Sequence, residues 1–339
     1  MRLELHLGPS GATLADPAPL ALEAERLGLA CVWSAESYGS DAISVAAWVA
    51  ARTTRIGIGT GVAQIPARTP ATSAMTALTL DHLTSGRFRL GLGVSSPIVG
   101  EGWHGVPFNR PLTRTREYVQ IVRDILKRER PLEFHGNVYD LPLGGRAGRG
   151  KPLRSILHPF RPDLPIYLGA IGQKSVELAA EVADGWIPAF FAPAQAHVFA
   201  EALRRGFERG RRRREDFDVT PLVTVRIGDN LADCRTSVKR AIALYVGGMG
   251  YKGDNFYAEL VSRYGYDAHV RPIQDQFLAG NHEAAAAAVP DALVDEVALV
   301  GPPARIADQL AAWREAGVDA IIASTVRPET LRVLAELML

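Results

Sequence analysis

Residues 165–188 read Pro-Ile-Tyr-Leu-Gly-Ala-Ile-Gly-Gln-Lys-Ser-Val-Glu-Leu-Ala-Ala-Glu-Val-Ala-Asp-Gly-Trp-Ile-Pro. A short apolar run, Pro165–Leu168, leads through a glycine turn into Gln173–Ala183, whose apolar residues have helical spacing. A second short run, Gly185–Pro188, follows at once. Strand, helix and strand in so little chain form a βαβ unit, which requires a parallel sheet with the helix laid on its face.

The same alternation extends in both directions. Upstream, Leu3–Leu7, Ala30–Ser34, Arg55–Thr60 and Phe88–Gly93 read as strands; downstream, Val219–Ile227 and Asp319–Ser324 do. Helices fill the intervals. One follows Asp16-Pro17 to about Gly28, one runs from an Asp41 cap to about Thr53, and one starts at Pro70. Others cover Arg114–Arg128, about Pro193–Arg212, Pro302–Ala316 and Leu331–Leu337. Eight strands alternating with eight helices predict a (β/α)8 TIM barrel in a single domain over residues 1–339, not a doubly wound sheet. Two segments exceed ordinary connections: about 105–165 after strand four, with a hairpin expected around Phe134–Tyr139, and about 230–301 after strand seven, read as helical. Such insertions form lids or interfaces, so substrate selection is expected there.

Composition sets the class. The 339 residues are 47% hydrophobic and 22% charged with a net charge of +1, the profile of a globular enzyme. That balance excludes binding to nucleic acid through backbone electrostatics. The run Arg209–Arg214 falls at the end of a barrel helix, where basic residues favour the helix dipole. No apolar stretch is long enough for a membrane span, and the N-terminus lacks a signal-peptide pattern, so the cytoplasm is the expected location. Cys31 and Cys234 are too few for a disulfide framework or a metal cluster, and no metal site is read.

A barrel carries its chemistry at the carboxyl ends of its strands. After strand two, Glu36 could accept a hydrogen bond from a ligand ring. After strand three, Gly59-Thr60-Gly61-Val62-Ala63-Gln64 lets a planar ligand approach the main chain, with Arg68 further along the loop. After strand four, Gly93-Val94-Ser95-Ser96 leaves room, and Glu101 with His104 forms a candidate proton-transfer pair. After strand five, Gly169-Ala170-Ile171-Gly172-Gln173-Lys174-Ser175 opens a helix whose free N–H groups suit a phosphate. Lys174 and Arg68 are the cations expected to meet an anionic tail beyond it.

These segments resemble the luciferase-like superfamily of flavin and deazaflavin enzymes. The resemblance is carried by Gly28–Glu36, Asp81–Phe88 and Tyr167–Trp186, the last being similar to methylene-tetrahydromethanopterin reductase and its relatives. The blocks Ala35–Ala42, Ala67–Leu80 and Glu101–Pro107 are similar to an actinobacterial subfamily of coenzyme F420-dependent oxidoreductases, and the likeness covers nearly the whole chain, including Ala298–Ser324. It implies a barrel working with coenzyme F420, a deazaflavin that carries hydride. It implies further that Glu36 contacts the deazaflavin, that Gly61-Val62 is a non-prolyl cis peptide against the ring, and that Gln64, Val94 and Ser95 line the ring's path. The stretch Gly169–Ser175, including Ile171, Gly172, Lys174 and Ser175, would take the phosphate. Two departures stand out. Gly172-Gln173 replaces the Gly-Pro of many relatives, and Ser37 and Ser96 replace the His–Glu pair of the sugar-phosphate dehydrogenase branch, which disfavours that branch's reaction.

The leading expectation is therefore hydride transfer between the deazaflavin C5 and a small organic substrate, in the direction of reducing C=C, C=N or C=O. Two rivals share the barrel: an FMN-dependent monooxygenase and a non-catalytic deazaflavin or flavin carrier. The expected partner is a small-molecule substrate, with no nucleic acid and no membrane; the oligomeric state, a homo-oligomer included, stays open.

Overall fold

The computed structural model describes residues 1–8, 12–144, 148–250 and 253–339. Parts of both long segments, residues 145–147 and 251–252, thus lie outside the described residues.

Eight parallel strands follow the chain: β1 (Arg2–Gly8), β2 (Cys31–Ser34), β3 (Gly57–Thr60), β4 (Phe88–Gly93), β5 (Ile166–Gly169), β6 (Gly185–Ile187), β7 (Leu222–Ile227) and β8 (Ala320–Ser324). They form a curled sheet in the order β6-β5-β4-β3-β2-β1-β8-β7. A parallel bridge between Ala189 and Leu222 links the two ends of that order. Apart from β1 beside β8, strand neighbours are sequence neighbours, a TIM-barrel-like arrangement.

The sheet separates two cores. Outward-facing residues such as Leu3, Leu5, Val32, Ile58 and Leu90 pack with the helices into the larger one. The smaller core lies inside the curl, where Cys31, Trp33, Tyr167, Ile187 and Ile322 meet. Trp33 and Tyr167 stand edge to face with centroids 5.1 Å apart. The Trp33 indole donates to Glu4 (2.7 Å), whose other oxygen accepts from Arg89 (3.0 Å). A Cβ on Gly59 would come within 2.4 Å of the Trp33 ring, so glycine there is what admits the indole. This plug is the floor on which the site stands.

Most elements lie where the sequence predicts them, including the helices Pro70–Leu83 and Gln173–Val182 and the hairpin pairing Phe134–His135 with Asp140–Leu141. Two strands go unpredicted: Ala63–Gln64, which pairs in parallel with Leu92–Gly93, and a longer one. Ala298–Gly301, within the segment read as helical, pairs in parallel with Thr224–Ile227. All four of its residues are buried, and a four-residue apolar run has no periodicity to distinguish it from a helix end. Among the described residues, no helix is long and apolar enough to cross a membrane.

Candidate functional site

A cavity of about 870 Å³ opens at the carboxyl ends of the strands. Strands β1 and β4 to β8 contribute lining directly, from His6 through Leu92 and Leu168 to Arg226 and Ser324, and β2 and β3 contribute through the loops that follow them. Glu36, Gly61, Val62, Gln64, Val94, Ser95 and the stretch Gly169–Ser175, residues far apart in sequence, all face this one space.

The loop after β3 is the most constrained part. The Gly61–Val62 peptide is cis. A Cβ on Gly93 would fall 2.5 Å from Val62 Cγ2, and one on Gly169 would fall 3.2 Å from Cγ1, so glycines on β4 and β5 make the seat for this side chain. Gln64 is held at both ends: its Nε2 donates to Ser37 O (3.1 Å), and its Oε1 meets His104 Nε2 at 2.9 Å.

Glu36 lines the cavity but serves the framework. Its carboxylate accepts from Gln64 N (2.7 Å), Ala42 N (3.1 Å) and both terminal nitrogens of Arg68. Arg68 also pairs with Asp41. The expectation that Arg68 greets an anionic tail is therefore corrected: two carboxylates engage it, and it is absent from the cavity lining. Ser37 and Ser96 do line the cavity, and Ser96 Oγ caps the short helix Pro97–Gly102 by accepting from Val99 N (3.4 Å).

The turn after β5 has the features of a phosphate cradle. Gly172 is the extended N-cap of the helix Gln173–Val182 and supplies no capping side chain. Ser175 and Val176 donate back to Gly172 O, while the N–H groups of Gln173 and Lys174 have no acceptor among the described residues. A helix N-terminus left open in this way attracts an anion. Phe256, Glu259 and Arg263 of the long second segment continue the lining near this turn.

Glu101 and His104 are not brought together at the cavity. Glu101 is exposed and accepts from Phe108 N (2.8 Å), and His104 reaches the space only through Gln64. Closeness in sequence suggested a pair, but the turn at the end of Pro97–Gly102 sends the two side chains to different partners.

Sequence reasoning missed several lining residues. His6 is buried; its Nε2 lies 3.3 Å from Gly61 O and its Nδ1 has no partner among the described residues, and burial brings its pKa down to about 4. Phe190, held at a φ of 51°, packs against Tyr245 and Tyr257, which themselves stand 4.7 Å apart. Arg226 faces the cavity from β7. The alternation of Leu222, Thr224 and Arg226 on that strand was a readable signal for the last; the tyrosines come from a segment whose path the sequence leaves open.

The whole-chain comparisons agree with this geometry. The family model described as luciferase-like monooxygenase matches residues 2–320. The chain is 45% identical over 343 aligned positions to a Mycobacterium tuberculosis protein named as a coenzyme F420-dependent oxidoreductase, Rv3520c, covering 100% of this chain and 99% of that one. It is 25% identical to the 5,10-methylenetetrahydromethanopterin reductase of Archaeoglobus fulgidus, over 89% of this chain and 87% of the relative. Among solved structures, the coenzyme F420-dependent tetrahydromethanopterin reductase of Methanopyrus kandleri superposes with a TM-score of 0.82 at 20% identity, covering 99% and 97% of the two chains. That last likeness is one of fold.

Proposed function

The chain belongs to the luciferase-like monooxygenase family, and from that premise we propose that it is a coenzyme F420-dependent oxidoreductase reducing an electron-poor C=C, C=N or C=O bond of a small organic substrate. The observation that carries this reading is the convergence of four strand-end loops on one cavity, with the Val62 bulge in its wall and an open helix N-terminus at Gly172. A planar ring with a phosphate-bearing tail needs those two features together. The 45% identity to a protein named for coenzyme F420 supports the deazaflavin over FMN. So does charge beyond the cradle: FMN ends in one phosphate, whereas coenzyme F420 continues into further carboxylates, and Lys174 lines the cavity, as does Arg263 in a pair with Glu259. The reading takes the domain as one closed (β/α)8 TIM barrel over residues 1–339, which the Ala189–Leu222 bridge supports.

When bound, the deazaflavin supplies hydride chemistry at its C5. The residues of this chain bind, orient and exclude water. Val62, backed by Gly93 and Gly169, would support one face of the ring, and Gln64 would present a fixed amide beside it. The N–H groups of Gln173 and Lys174 would hold the phosphate. Glu101 and His104 stay the proposed sources of the accompanying proton; His104 is the nearer, through Gln64, and Glu101 must release Phe108 N to take part.

Fluorescence titrations of coenzyme F420 and FMN at two ionic strengths test the reading. Coenzyme F420 is expected to bind at least about tenfold tighter at low salt, or about 1.4 kcal/mol, with the margin shrinking as salt screens the tail contacts. Equal affinities, or FMN ahead with oxygen uptake, would favour the monooxygenase. Tight binding without turnover of an enone and imine panel would favour a carrier.

A further inference from the structure

We propose that the wall formed by β7 and β8 is an anion site for the substrate, and that Arg226 binds the carboxylate of an otherwise apolar molecule there. The proposal rests on reading the cavity as a joint cofactor and substrate chamber. Along β7, Val223 and Val225 are buried in the outer core, while Leu222, Thr224 and Arg226 face the cavity, the period-two alternation of a strand. The Arg226 guanidinium is held in place without being neutralised. Its Nη1 donates to Val225 O (2.7 Å) and Ser324 O (3.2 Å), and its Nε donates to Ser237 Oγ (3.1 Å). Among the described residues, its Nη2 makes no hydrogen bond and no carboxylate pairs with it. Burial and the nearby positive charge of Arg327 lower its pKa together.

Several other half-buried arginines have counter-ions: Arg89 has Glu4, Arg161 has Asp81, and Arg123 and Arg212 share Asp184. Arg87 resembles Arg226 in donating only to carbonyls, those of Thr53, Ile56 and Thr84, but it does not line the cavity. A half-buried cation without a counter-charge is costly until an anion arrives, and a carboxylate is the anion whose two oxygens match a guanidinium edge. The surroundings set the rest of the ligand: Phe190, Tyr245 and Tyr257 offer an apolar, aromatic wall. Arg226 and the phosphate cradle stand on different elements of the lining, β7 and the turn after β5. The volume accommodates more than one ligand, since drug-sized sites start at about 300 Å³. One chamber therefore offers separate places for two anions, one at Gly172–Ser175 and one at Arg226.

The test uses three carboxylic acids and their primary amides: benzoate with benzamide, cinnamate with cinnamamide, and octanoate with octanamide. Each is titrated calorimetrically into the wild-type chain and R226Q, with and without coenzyme F420. At least one acid should bind wild type tenfold or more tighter than its amide, and R226Q should erase that preference while its affinity for coenzyme F420 stays within twofold. R226K keeps the charge but not the fork, and should weaken the acid several-fold without affecting the amide; it decides the matter if R226Q does not fold. An acid preference absent from wild type, or surviving in R226Q, overturns the proposal. So does a tenfold loss of coenzyme F420 affinity with the acid preference intact, which would give Arg226 to the cofactor tail. If coenzyme F420 does not bind at all, the cofactor reading falls, and the acid–amide comparison on the protein alone still decides Arg226.

Discussion

Two rims of the same cavity treat charge in opposite ways. At the ends of β2 and β3, Glu36 accepts from Arg68 and two backbone N–H groups, and Arg68 reaches Asp41 as well. At β7 and β8, Arg226 has two carbonyls and a hydroxyl but no carboxylate among the described residues. The outer surface repeats the first pattern: in the run Arg209–Arg214, Arg209 pairs with Glu177, Arg212 with Asp184, Arg213 with Asp216 and Arg214 with Asp319. Density of charge therefore does not mark a site. Charge left without a counter-ion at a cavity wall does.

The paired rim should show the largest effect of substitution. Glu36→Gln leaves Arg68 without its main partner, on a side chain only 15% exposed. Breaking such a pair costs about 3–5 kcal/mol where no other counter-charge remains; with Asp41 still facing Arg68, urea denaturation should show a loss of about 3 kcal/mol. A loss below about 1 kcal/mol would remove Glu36 from the framework.

His6 gives the next effect, through pH. Its native pKa is about 4 against an ordinary 6.5. Between those values the unfolded chain takes up a proton that the native chain refuses. Stability is thus full above about pH 6.5 and falls as pH drops towards 4, by about 3 kcal/mol in all. His6→Asn should flatten that part of the profile, and equal slopes in the two proteins would contradict the assignment.

Gly172→Leu tests the cradle. A Cβ there meets nothing closer than 4.0 Å, so the melting temperature should hold within a few degrees. Cofactor affinity should fall by about 100-fold, roughly 2.7 kcal/mol; unchanged affinity would move the phosphate elsewhere. The smallest effects separate the proposed proton donors. General acids typically contribute about 10²–10⁴ in rate, but His104 meets the cavity through Gln64, so His104→Ala should slow turnover by only about tenfold. Glu101→Gln can still accept from Phe108 N and should stay within about threefold of wild type. A larger loss in Glu101→Gln would mean that this carboxylate swings inward during the reaction.

The parts legible in the sequence were those with a local cause. Strand–helix alternation and the glycine turns at Gly61 and Gly172 declare themselves within a few residues, and they located the cavity and much of its lining. What stayed hidden depends on partners distant in the chain. That Glu36 belongs to Arg68 is settled across 32 residues. That Arg226 lacks a carboxylate is a property of its whole surroundings. The strand Ala298–Gly301 is short enough that only the open edge of β7 makes it a strand.

That strand has a consequence for how such a chamber can be altered. Chain leaves β7 at Ile227 and returns 71 residues later to lie against Thr224–Ile227, with Arg226 opposite Val300. The excursion thus starts and finishes on a single strand, and it carries Tyr245, Tyr257 and Val297 into the wall between. It behaves as a cassette clipped to one rail. Exchanging residues 231–297 between relatives would rewrite part of the cavity wall while leaving the pairing of strands β1 to β8 unchanged, which makes the two clip points natural graft boundaries.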